Sequence, residues 1–356
     1  MRSTKIHQTP SGIPKQLCED HAQVFAAVFQ VLGTSDAVSR FHELLAHQGR
    51  SSVCYLLRAG SLQCVVKIRG VGKRDEVSSG TRKEVELLGW VGQEIRTPQP
   101  LFYGIAACAE SSNRYEYLVQ EYLPFMPPRV TSMRQRLRLF SRISEWTARI
   151  NRVQVTGYGD RVDGTGSRFA DTSWHEFIDS QREKARLSEL QRAGLLTRPI
   201  SETIDATLRG LAQIATKSCL YHGDLLGNWA NVLVNDRDQV QGILDWEYAG
   251  AGAATVFEIA SVLYCFVRDG VAECDRAHYL SAILDGYGIS QETYNVEYRP
   301  LVNATLLLHA CKALNRIFPS QIQCGAHHER RIRVQFAKRA RGMAEGLCRR
   351  EARSAL

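Results

Sequence analysis

A chain of 356 residues with 44% apolar content can fill one large core or two smaller ones, which excludes a disordered or fibrous polypeptide and makes two lobes the expectation. The formal charge of +8 would suit a nucleic-acid binder, but residues 329–353 hold nine Lys or Arg and three Glu, a net of +6, leaving +2 for everything else. The basicity belongs to the tail, where it reads as a solvated helix face, so no nucleic-acid partner is expected.

Ten cysteines are scattered without a CxxC pair, and four of them sit in strongly apolar stretches. That fits reduced thiols in a cytoplasmic protein better than a disulfide framework. The start, MRSTKIHQTPSGIPKQLCED, has no apolar signal core, and no run reaches the roughly 18 apolar residues of a membrane span. A soluble cytoplasmic protein without membrane contact is therefore expected.

Residues 20–32 space Val24, Phe25, Val28, Phe29 and Leu32 at helical intervals, and Gly33 to Asp36 breaks the helix. Three strand-like runs follow over 41–46, 52–57 and 62–68, the last two joined by a turn at 59–61. The short loop Gln48-Gly49-Arg50-Ser51-Ser52 offers small residues and free backbone N–H groups, as an anion nest does, and reads equally as an ordinary hairpin turn. The third strand, Cys64-Val65-Val66-Lys67-Ile68, places a lysine in apolar surroundings, where an unpaired ammonium is costly to bury. Something anionic must meet it. A helix over 82–91 follows, then a β-rich run over 115–119 ending in Gln120-Glu121-Tyr122-Leu123-Pro124, and the prolines after it mark a domain boundary.

The second half opens with Leu139, Ile143, Trp146 and Ile150 at helical spacing, a core-facing stripe. Gly157-Tyr158-Gly159 and a polar, glycine-rich segment precede a helix led by Trp174, a residue read as core. The stretch 220–249, LYHGDLLGNWANVLVNDRDQVQGILDWEYA, organises the chain. Its two apolar runs, 231–234 and 240–244, flank turn residues and predict a hairpin. Asp224 lies on the loop entering it and Asp245 at its exit. The oxygen pair Asn231 and Asp245 would suit Mg²⁺, which needs one or two carboxylates beside waters and substrate phosphates. Asp224 could accept a proton or hydrogen bond from an attacking hydroxyl. Further helices are expected over 256–264 and 301–314 and in the basic C-terminal segment.

The set HGD, NVLV and ILDWEYAG, with Lys67 and the Glu84-x-x-x-Leu88-x-Trp90-Val91 signature, resembles the aminoglycoside phosphotransferase family, and the Trp174 region is similar to members of the hygromycin B phosphotransferase type. The resemblance spans residues 40–265. It implies an α+β, bilobal, protein-kinase-like fold: a small antiparallel-sheet lobe with a cover helix over 1–123, and a larger, mainly helical lobe over 124–356. It implies Asp224 as the catalytic residue, Asn231 and Asp245 as Mg²⁺ ligands, and Lys67 on the phosphates with Glu84 as its partner, Glu86 being the fallback. Gly49, Ser51 and Ser52 would cradle phosphates, Glu121 and Leu123 would form the adenine hinge, and Leu233 and Leu244 would line the nucleotide site. Glu258 would tether the catalytic loop, and His222 would brace it.

The family spacing from Asp to Asn is five residues, whereas Asn231 lies seven after Asp224 and Asn228 lies four after it. Asn231 is preferred because it abuts a strand that would hold it rigid. The resemblance further implies ATP, with GTP not excluded, and Mg²⁺ as cofactors, a small-molecule hydroxyl acceptor, and a monomer or weak dimer. An aminoglycoside or related antibiotic is the expected acceptor; a small metabolite such as choline, homoserine or an amino sugar is the alternative, and a nucleotide-binding pseudokinase is the rival that is not an enzyme. Gly70-Val71-Gly72-Lys73-Arg74 fails the P-loop pattern, and His-Gly-Asp with Asp-Trp-Glu differs from the protein-kinase motifs.

Overall fold

The structure, a computed structural model, describes residues 15–32, 40–44, 52–59, 62–71, 80–91, 95–108, 113–317, 338–339 and 341–349. Gly49 and Ser51, and with them the expected phosphate loop up to Ser52, lie outside these residues, as does most of the basic tail. The chain divides into two compact units, Met1–Pro127 with Val232–Glu247, and Pro128–Asn231 with Tyr248–Leu356.

The first unit is built on a five-stranded antiparallel sheet in the order β1-β2-β3-β5-β4, formed by Arg40–Leu44, Val53–Ala59, Leu62–Gly70, Arg114–Glu121 and Pro100–Ala107. Strand β3 is central, and five consecutive residues, Cys64 to Ile68, are buried on it. That is why the sequence reads as an apolar run there rather than an alternation. Helix α1 (Lys15–Val31) lays Val24, Phe25 and Val28 on the sheet, against Leu57, Val66, Tyr115 and Tyr117. Helix α2 (Gly80–Val91) buries Thr81, Glu84, Leu87, Leu88 and Val91, a helical stripe with one carboxylate in it.

The predicted hairpin forms as β9 (Val232–Val234) and β10 (Val240–Ile243). The sequence reading set it in 124–356, yet it groups with the first unit. Its backbone explains this: Val234 N donates to Met126 O at 2.9 Å, and Ile243 N donates to Arg96 O at 3.1 Å.

The second unit is mainly helical. Helix α3 (Met133–Ile150) starts in a capping box in which Ser132 and Gln135 bond each other's backbone, and it buries the Leu139, Ile143 and Ile150 stripe. A small sheet, ordered β7-β6-β11-β8, consists of Phe169–Asp171, Tyr158–Val162, Gly250–Gly252 and Cys219–Tyr221. Around it run α4 (Trp174–Lys184), α5 (Leu187–Arg192), α6 (Arg198–Ala212), α7 (Ala254–Asp269), α8 (Glu273–Tyr287), the single turn α9 (Gln291–Thr293) and α10 (Arg299–Ile317). Trp174 is core, as its sequence context suggested: its indole N–H donates to Leu211 O at 2.8 Å and its ring packs on Phe177 and Phe257. Helices α3 and α8 approach so closely that a Cβ on Gly286 would collide with Ser141 O. Among the described residues no helix is long and apolar enough to cross a membrane, and no disulfide is formed.

Candidate active site

In the first unit the lysine that the sequence left in need of a counter-charge has two. Lys67 Nζ lies 2.7 Å from Glu84 Oε2 and 2.5 Å from Asp245 Oδ1. Glu84 comes from the buried face of α2. Glu86 instead pairs loosely with Arg82, 4.0 Å away on the helix's outer side. Burial alone would pull the lysine's pKa down, but the two carboxylates outweigh it and hold the ammonium above its ordinary value. The lysine therefore stays cationic throughout the physiological range.

Asp245 leaves β10 with φ +64°, a left-handed conformation that costs most L-residues on the order of 1 kcal/mol and that Asp tolerates better than most. A carboxylate held in that turn, with its side chain 25% exposed, keeps oxygen available beyond the one bonded to Lys67.

Several neighbours of this cluster were not singled out from sequence. Cys54 on β2 is in direct register with Lys67, and burial pushes its thiol up to about 11. Arg69, two residues past Lys67, reaches Glu247 at 3.6 Å, beside the first turn of α2 at Gly80. The period-two pattern of a strand, which puts residues 67 and 69 on one face, was the available signal for Arg69. Glu247, in the Asp-Trp-Glu motif, had been given no role.

The expected nucleotide-lining residues also fall in this unit. Ser52 is buried at the root of β2. Glu121, the last residue of β5, accepts from Arg96 and from Gln99 N, and its own N–H donates to Gln99 O at 2.9 Å. Its side chain is thus committed to the chain segment entering β4. Leu123 is buried against Gly242, where Leu233 also lies, so a Cβ at 242 would press on Leu123 and touch Leu233. Leu244 is half-buried.

In the second unit, β8 delivers the His222-Gly223-Asp224 loop. Gly223 has φ +81°, and a Cβ there would stand 2.6 Å from Tyr248 O, so the turn requires glycine. His222 is fully buried; its N–H donates to Glu258 Oε1 at 2.5 Å, Gly223 N donates to the same oxygen at 3.1 Å, and His222 Nδ1 accepts from Asp224 N at 3.3 Å. Glu258 on α7 thus anchors the loop by two backbone bonds. Its complete burial pushes its carboxyl up to about 7, against the pull of those bonds.

Both asparagines reach the loop aspartate. Asn228 Nδ2 donates to Asp224 Oδ2 at 3.2 Å, and Asn231 Nδ2 donates to Asp224 O at 3.1 Å and to Oδ2 at 3.2 Å. Trp229 and Ala230, between the two asparagines, lie in a 3₁₀ turn closed by Asn231 N on Asn228 O. Asn228 Oδ1 accepts from Ala230 N within that turn, whereas the Asn231 amide oxygen accepts no bond among the described residues. Asn151, assigned no role from sequence, donates to Leu220 O at 3.0 Å and accepts from Thr255 and Tyr287, which pins the strand feeding the loop. Among the described residues no three His, Cys, Asp or Glu side chains form a metal cluster. Asp245 in the first unit and Asn231 in the second each carry an oxygen donor of the kind that a hard cation takes.

A central-strand lysine paired with a helix glutamate, and a buried acid anchoring a His-Gly-Asp loop, define a kinase of the class that phosphorylates hydroxyl groups. The model of the phosphotransferase enzyme family matches residues 43–298, and the chain belongs to that family. It is a kinase of small molecules. No curated protein matches the sequence significantly. Among solved structures it is similar to aminoglycoside phosphotransferase APH(4)-Ia in ternary complex with AMP-PNP and hygromycin B, at TM-score 0.62 and 16% identity, covering 91% of this chain and 98% of that one. It is also similar to aminoglycoside 2′-phosphotransferase-IIIa in its GDP complex, at TM-score 0.56, 13% identity and coverage of 92% and 99%. A microcompartment-associated aminopropanol kinase has TM-score 0.54, 14% identity and coverage of 91% and 95%. At these identities the likeness is one of fold.

Proposed function

We propose that the protein transfers the γ-phosphoryl group of ATP to a hydroxyl of an aminoglycoside or related antibiotic. The observation that carries this reading is the Lys67 ammonium held between the Glu84 and Asp245 carboxylates. In it, Lys67 contacts the nucleotide phosphates, oriented by Glu84, and Asp224 takes a hydrogen bond from the acceptor hydroxyl and then its proton. Asn231 and Asp245 are the residues to hold Mg²⁺, which when bound neutralises phosphate charge. Because charge spreads over the phosphoryl oxygens as the bond to the leaving group lengthens, catalysis here is a matter of placement and electrostatics. Ser52, Glu121, Leu123, Leu233 and Leu244 are proposed around the nucleotide, with Glu121 and Leu123 contributing backbone groups.

A second acceptor class is favoured by one observation. Of five carboxylates that could receive a polycation, Asp179 is engaged by His175 and Arg182, Asp269 by Arg268 and Asp285 by Ser141, which leaves Glu273 and Asp275 without an ion pair among the described residues. A less cationic acceptor, such as an amino alcohol, makes smaller demands on free acids. Purified protein with ATP and Mg²⁺ should be screened against aminoglycosides, nucleoside antibiotics and amino alcohols, with nucleotide consumption as readout. Turnover with an aminoglycoside supports the first choice, turnover with amino alcohols alone replaces it with the second, and nucleotide binding without turnover on any acceptor overturns both.

A further inference from the structure

Within the second unit lies a cavity of about 260 Å³ that the phosphotransfer reading does not use. Trp174, Leu211, Ile214, Val256 and Leu301 give it apolar walls. Those walls are fixed. The Trp174 indole N–H is bonded to Leu211 O, and its ring is packed so tightly on Gly252 that no Cβ fits between them. The Asn151 side chain, which also lines the cavity, is held by one donated bond to Leu220 O and two accepted from Thr255 and Tyr287.

Two lining polar groups are left to a ligand. The exposed Lys217 makes no ion pair, and the hydroxyl of the half-buried Tyr298 makes no hydrogen bond, among the described residues. A cavity of about 150 Å³ already takes up benzene, so this volume holds an aromatic ring with a short side chain. Apolar walls with a free ammonium and a phenol hydroxyl select an amphipathic anion, for which the walls supply affinity and the cation supplies orientation.

The cavity also touches the roots of the Asp224 loop. Cys219, on its lining, begins the strand that runs into His222. Thr255 and Val256 begin the helix whose Glu258 holds His222 N and Gly223 N. We propose that this cavity is a binding site for a small aromatic carboxylate, and that its occupant stiffens the Asp224 loop through β8 and the first turn of α7.

Titration of the full chain with 3-phenylpropionate, followed by calorimetry, tests this against the matching uncharged amide. Saturable binding is expected, weakened about tenfold or more for the amide and for Lys217→Glu, and lost in Ala215→Trp, in which an exposed lining residue is enlarged to fill the space. Amide hydrogen exchange at residues 219–223 should slow several-fold with ligand in the parent protein. Because Lys217 and Ala215 are both exposed, the variants should keep the parent's thermal midpoint. No saturable binding, equal binding of acid and amide, undiminished binding to Ala215→Trp, or unchanged exchange with ligand bound would each overturn the proposal.

Discussion

Lys67 and Glu258 are buried ionisable residues that the chain keeps for opposite reasons. Lys67 is compensated twice, so removing it strands two carboxylates. Lys67→Met should lower unfolding stability by about 3 kcal/mol, the usual cost of breaking a buried pair from one side. Adding Glu84→Gln should recover part of that loss, which a denaturant double-mutant cycle measures. A loss in the double variant equal to the sum of the two single losses would show that the pair carries no coupling. Glu258 is a buried acid whose carboxyl is raised to about 7. Between the ordinary glutamate value of about 4.3 and about 7, the folded protein keeps a proton that the unfolded chain has released. Its contribution therefore favours folding at low pH and is lost as the pH rises through about 7. Glu258→Gln, which keeps an acceptor for the loop N–H groups, should gain on the parent between pH 5 and pH 8 by up to ~3 kcal/mol. Parallel stability profiles for the two proteins would contradict this.

The loop and hairpin from 222 to 247 hold most of the residues to which the proposed chemistry is assigned. Trp229 and Ala230 run in a 3₁₀ turn, and Asn231 enters β9 with its amide oxygen uncommitted among the described residues. Asn228 uses its own oxygen to close that turn. Asn231→Ala is accordingly expected to abolish Mg²⁺-dependent turnover, and Asn228→Ala to reduce it less, by about tenfold if it only loosens Asp224 through one lost hydrogen bond. Titrating Mg²⁺ against rate in both variants checks this; the reverse ranking would assign the metal to Asn228. Much of this element was legible in the sequence, because the hairpin advertised itself by apolar runs around turn residues and the acids sat at its two ends. The partners of those residues were less legible. Cys54 opposite Lys67 depends on strand register, and Arg69 with Glu247 depends on where β10 leads the chain, neither of which a local pattern encodes. The anchoring of His222 by Glu258 was anticipated only through the family resemblance, since the two residues are 36 apart in sequence.

At the scale of the molecule, the cover helix, the central strand and single helices of the second half followed from apolar patterns, and the mainly helical second lobe from the family resemblance, whereas the membership of residues 232–247 in the first unit followed from neither. Those residues are far in sequence from the backbone of Arg96 and Met126, to which they bond. The proposed reaction is defined by where the phosphoryl group ends up. Phosphorus NMR of a reaction holding ATP, Mg²⁺ and the acceptor that the screen selects reads this directly. A phosphomonoester signal split by a carbon-bound proton should grow with time, and should slow by about 10²-fold or more in Asp224→Asn. Accumulation of inorganic phosphate alone, or an ester that forms undiminished in that variant, would contradict transfer to a hydroxyl assisted by Asp224.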